Sequence, residues 1–107
     1  MEYKRGTTDP ITLNLNGIDL TNAEWLIVTV KPIGLPAIEF TKDKLSLASD
    51  GTNTVIIFRL NEEQSVGLDT ESITIDCNWM IDGSRGGATP VTFTIEPTLL
   101  TRVVENE

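Results

Sequence analysis

Apolar residues recur at every second position in this chain, and the pattern restarts after each turn signal. Ile11, Leu13 and Leu15 alternate with Thr12, Asn14 and Asn16. Ile73, Ile75, Cys77, Trp79 and Ile81 alternate with Thr74, Asp76, Asn78, Met80 and Asp82, and a third alternation runs from Val91 to Glu96. A period of two sends successive side chains to opposite faces of a strand. A one-residue slip of 72–82 would turn its whole apolar set into water, so its register is strongly specified.

The other segments extend this reading. Leu26, Val28 and Val30 form the inward set of a strand whose other face carries Trp25, Ile27 and Thr29, so both faces are apolar and a central position is expected. Pro32 and Pro36 cannot donate to a ladder, and 31–36 reads as a loop or a strand switch at a sheet edge, followed by a short edge strand at 37–41. Asp50-Gly51 is a turn before the β-branched run Thr54 to Leu60. Asn61-Glu62-Glu63-Gln64 reads as a capped helix start, stopped within two turns by Gly67. Gly-rich 82–88 reads as a hairpin connection. Six or seven short strands with one short helical turn predict an all-β, antiparallel two-sheet sandwich of immunoglobulin-like type, one domain over 1–107.

Composition excludes several kinds of function. The chain has 16 acidic and 8 basic residues, a net charge of −8, with the excess concentrated after Asn53. Binding nucleic acid by neutralising phosphates needs a cationic surface, so no nucleic-acid partner is expected. The acids stand singly apart from Glu62-Glu63, as solubilising surface charge does. The N-terminal charges precede no apolar segment of signal-peptide type, and the run Trp25 to Val30 is far too short to span a bilayer, so a soluble protein without membrane contact is expected. The one cysteine, Cys77, lies on the apolar side of an alternating strand and reads as a small core residue.

Catalytic groupings are hard to assemble from these residues. No histidine is present, which removes the commonest general base and metal ligand and every serine–histidine or cysteine–histidine pair. Asp76 and Asp82 share a strand face but lie about 20 Å apart, against about 5–10 Å for a glycosidase pair. Asp43 with 50–53 lacks the ligand pattern of a calcium loop, and Gly83 to Gly87 around Arg85 lacks the lysine and helix of a phosphate loop. No catalytic residue, metal site or cofactor is expected.

Three features suit protein contact instead. Tyr3 and Arg5, in an N-terminal arm with Lys4, combine residue types enriched at interface hot spots, though an ordinary first strand or frayed terminus would read the same way. Trp25 with Ile27 is either an outward contact face or core of a second sheet. Leu99 and Leu100 open an apolar tail, 99–104, that either completes the sandwich or docks on a neighbour.

With these segments placed, Tyr3-Lys4-Arg5-Gly6-Thr7-Thr8 and the alternating strand after it resemble the opening of small tail- and baseplate-associated proteins of bacteriophages of Gram-positive bacteria. Leu60-Asn61-Glu62-Glu63-Gln64 is similar to their leucine-threonine-x-glutamate turn. The long strand, glycine-containing hairpin, last strand and Leu-Leu-x-x-Val-Val ending follow as in them. The likeness covers most of the chain and extends distantly to the N-terminal domain of upper-baseplate proteins. Asp9-Pro10 and the Gly34/Pro36 loop depart from the pattern. The resemblance implies a non-catalytic structural or adaptor protein of the virion, assembled in the host cytoplasm, whose partners are other tail or baseplate proteins or a second copy of itself. A small phage-encoded inhibitor of a host defence protein is the alternative expectation.

Overall fold

A computed structural model describes residues 2–98. Nine strand segments follow one another: β1 (Glu2–Lys4), β2 (Ile11–Leu15), β3 (Trp25–Pro32), β4 (Ile38–Thr41), β5 (Ser46–Ser49), β6 (Thr54–Phe58), β7 (Ser72–Ile81), β8 (Ser84–Gly87) and β9 (Val91–Glu96). A single 3-10 turn, Lys42–Lys44, joins β4 to β5, and one helix, α1 (Glu62–Val66), joins β6 to β7.

The strands form two sheets. The larger runs β1-β9-β7-β3-β4, with β8 also on β7, and the smaller runs β2-β6-β5. Labelled in chain order from the second strand, this places G, F, C and C′ on one sheet and B, E and D on the other, the strand distribution of an immunoglobulin-like sandwich of variable type. The sandwich expected from the alternation is therefore the fold. Its strand count exceeds the expected six or seven because three short segments, β1, β5 and β8, carry little alternation of their own. One pairing also departs from the antiparallel rule, since β1 lies parallel to β9.

The long alternations pack as their period dictates. Leu26, Val28 and Val30 of β3, Ile73, Ile75 and Cys77 of β7, and Ile56 and Phe58 of β6 meet between the sheets, all buried. Phe40 of β4 and Phe58 of β6 bridge them with ring centroids 4.9 Å apart, within the range of a favourable aromatic pair. Leu20 and Ala23 close one end of the core, and Leu60 and Leu68 belong to it from the segments flanking α1.

Two buried hydroxyls hold loops to this core. Thr54 Oγ1 accepts from Leu20 N at 3.0 Å and donates to Ile18 O at 2.8 Å, tying the β2–β3 connection to β6. Ser65 Oγ accepts from Gly6 N at 2.9 Å, tying the β1–β2 connection to α1. The helix carries the expected cap in reciprocal form. Gln64 N donates to Asn61 Oδ1 at 2.7 Å, and Asn61 N donates to Gln64 Oε1 at 2.9 Å.

Two local expectations change. Strand β3 does not stop before its proline: Pro32 is its last residue, buried opposite Ile73, in a row that β4 does not reach. The Gly-rich connection 82–88 is mostly strand. Asp82 and Gly83 make a two-residue turn with φ of 49° and 77°, and 84–87 already pair with 78–81. Asp-Gly with positive φ at both positions is the turn whose twist matches its flanking strands.

Candidate functional site

The register of the large sheet determines which side chains share its outer face. Trp25 stands opposite Met80, and Met80 stands opposite Arg85 on β8, so the three lie abreast across β3, β7 and β8. Arg85 reaches across the row until its guanidinium carbon is 5.7 Å from the Trp25 ring centroid. That is a cation–π contact, worth about 0.5–1 kcal/mol at an exposed position. It holds a half-buried indole and a charged fork in one place.

The next row adds Ile27 and Asn78, with Thr41 on β4. On the far side of Trp25, the residues Glu24, Trp25, Ile27, Thr41, Lys42 and Asp43 line a shallow groove. Lys42 is held there by donating from Nζ to Thr21 O at 2.8 Å and Ala23 O at 3.0 Å. Asp43 accepts from the Thr41 hydroxyl, and this bond holds its carboxyl below the usual carboxylate range. The outcome is an apolar centre with fixed charges at its rim, the composition of a protein-contact patch. Trp25 thus lies on the outward face and not in a second core.

The N-terminal candidates are placed differently. Tyr3 is 5% exposed, on the core side of β1, and its hydroxyl donates to Thr7 O at 2.7 Å. Arg5 donates from Nε to Val66 O at 2.7 Å and pairs with the exposed Asp69 at 3.6 Å. Both side chains are engaged within the domain, so the arm is the ordinary first strand and Tyr3 presents no ring to a partner. Burial decides this, because alternation along a three-residue strand gives no inward or outward sign. Leu99 and Leu100 lie outside the described residues.

A second concavity opens at the side of the sandwich. It has a volume of about 630 Å³ and runs along β2 from Thr12 to Asn16, facing Ile75, Cys77, Trp79, Ala88, Val91 and Phe93. Cys77 is 3% exposed, and burial, then the neighbouring Asp76 charge, pushes its thiol up to about 11. At neutral pH the thiol is therefore protonated and a poor nucleophile.

The carboxylates fill structural places. Asp76 accepts from Asn78 Nδ2 at 3.1 Å. Asp50 Oδ1 accepts from Thr52 N at 2.9 Å and Asn53 N at 2.7 Å, which holds its pKa down and closes the β5–β6 turn. Among the described residues no three His, Cys, Asp or Glu side chains group to hold a metal ion. Among those residues, too, no helix is long and apolar enough to cross a membrane. One carboxylate pair escaped the sequence reading. Glu2 and Glu96 meet on the outer edge through the parallel β1–β9 pairing, and the Glu2 contact raises the Glu96 pKa.

No family model matches the chain, and no curated protein does. Among solved structures it is similar to the swine CD8aa homodimer, with 8% identity, 92% of this chain and 95% of that chain covered, and a TM-score of 0.43. The fold assignment stands on the strand order described above, and nothing about function is taken from that likeness.

Proposed function

We propose that the chain is a non-catalytic adaptor of a phage tail or baseplate that works through protein–protein contacts made by the outer face of its large sheet. The observation that carries this reading is the Trp25–Arg85 pair beside the apolar Ile27 and Met80, with a groove at its flank. Tryptophan and arginine at the centre of a patch are the residues that dominate interface energetics when covered. The resemblance of the 3–8 and 60–64 segments to small tail-associated phage proteins supplies the kind of partner. On this reading the partners are other tail or baseplate proteins or a second copy, and the protein resides in the virion after assembly in the host cytoplasm.

Capture of tail proteins from phage-infected cells, with the tagged domain as bait, tests the surface. Trp25→Ala is expected to weaken retention of the tail protein by about 30-fold or more, the effect of losing a central hot-spot aromatic. Ile57→Ala, on the outer side of the smaller sheet, is expected to leave retention unchanged, and circular dichroism checks that both variants are folded. Equal retention by the wild type and Trp25→Ala would remove this face from the account.

A further inference from the structure

The register lays out the outer face of the large sheet in rows that cross its strands. Trp25, Met80 and Arg85 form one row, and Thr41, Ile27 and Asn78 form the next. Glu39, Thr29 and Asp76 make the third row, and Lys31 beside Thr74 opens the fourth. Side chains on one face recur at every second residue, so neighbouring rows lie about 7 Å apart. Arg85, Glu39 and Lys31 are exposed, and Trp25, Ile27, Met80 and Asp76 are half-buried.

Charge changes sign across the row of Ile27 and Asn78. The Trp25 row on one side carries the Arg85 cation, with Lys42 at its flank. The row on the other side carries the anions of Asp76 and Glu39. One step further out, both ends reverse. Lys31 follows the Asp76 row. The exposed Asp82 follows the Trp25 row, next to Glu24, whose carboxylate accepts from Gly83 N at 3.0 Å. Along the strands the order is therefore acid, base, neutral, acid, base. Half a turn about an axis lying along the neutral row carries this order onto its own complement. Arg85 would then meet Asp76 of a second copy, Lys42 would meet Glu39, and Lys31 would meet Asp82.

We propose that this face takes a second copy of the chain as an isologous pair, with Ile27 against Ile27 at the twofold axis. A twofold contact has to be self-complementary, which a face of alternating sign satisfies and a face of one sign does not. Two sheets packed face to face keep their strands within about 30° of alignment, so rows can oppose rows. The pairing covers Trp25, Ile27 and Met80, while the ionic pairs fix its register against the mutual repulsion of chains of net charge −8. This occupant narrows the contact surface proposed above and rests on it.

Light scattering of the whole chain over a dilution series tests the assignment. A dimer is expected. Arg85→Asp alone, or Asp76→Arg alone, sets like charges opposite each other twice and is expected to raise the dissociation constant about tenfold or more. An equimolar mixture of the two variants is expected to recover most of the lost affinity, because opposite charges face each other again only in the mixed pair. A monomer at every concentration overturns the second copy, and so does a dimer indifferent to both substitutions or not restored by mixing. If the chain is monomeric and Trp25→Ala still loses the tail protein, the second copy fails while the contact surface stands.

Discussion

Replacing Gly86 with alanine is expected to cost about 3 kcal/mol of stability, at the upper end of the usual range for overpacking. A Cβ at Gly86 would sit 2.4 Å from Trp79 Nε1 and 2.8 Å from Trp79 Cε2. The indole cannot retreat freely, because Trp79 is 9% exposed and packed into the core cluster. Either Trp79 leaves its rotamer or β8 lifts from β7, and the second outcome also moves Arg85 off Trp25. Urea unfolding followed by tryptophan fluorescence measures the loss. In a Trp79→Leu background the added methyl has room, so the same substitution should cost much less there. Equal costs in the two backgrounds would show that the loss comes from somewhere other than the indole contact.

The second large effect is expected at a position with no charge and no exposed surface. Thr54→Val keeps the shape of the side chain but deletes the hydroxyl that serves both Leu20 N and Ile18 O. Thr54 and Leu20 are both fully buried, so Leu20 N gains no water in exchange, whereas Ile18 is partly exposed. An unsatisfied buried group costs about 1–3 kcal/mol, and Leu20 N is the group left so here, which puts the expected loss at about 1–3 kcal/mol. Thr54→Ser retains the hydroxyl and should recover most of it, less the contribution of one methyl group. The unfolding midpoints of the two variants decide the matter. If serine is as unstable as valine, packing and not hydrogen bonding sets the role of Thr54.

Both effects depend on contacts that one-dimensional patterning does not contain, and this separates what was readable in the sequence from what was not. The alternations at 11–15, 72–81 and 91–96 are readable because one face of each strand is buried and the other is not. The Asn61 cap is readable because its bonds lie within one helical turn. Strand β5 is not, since Leu47 is the one partly buried residue of Ser46–Ser49 and its pairing comes from β6. Strand β8 hid among glycines, although Asp82-Gly83 carried the signal of a two-residue hairpin.

The site divides in the same way. Trp25 was readable as a candidate because an indole on the second face of a strand must be covered by something. Its contact with Arg85 was not, because sixty residues separate the two and only the β3–β7–β8 register brings them together. Tyr3 misleads for the converse reason. A tyrosine near a chain terminus reads as an anchor for a partner, yet the parallel pairing with β9 turns it inward. Thr54 and Gly86 gave no sign, since a threonine in a β-branched run and a glycine in a hairpin are both unremarkable by type.

On the proposed reading a phage encodes the chain, and mass spectrometry of purified particles of that phage is the direct test of the central claim, a virion-resident adaptor. The protein is expected in the particles in a fixed ratio to the tail proteins, and is expected to stay with tails separated from capsids. Its absence from purified virions, with abundant protein in the infected-cell lysate, would contradict the adaptor reading.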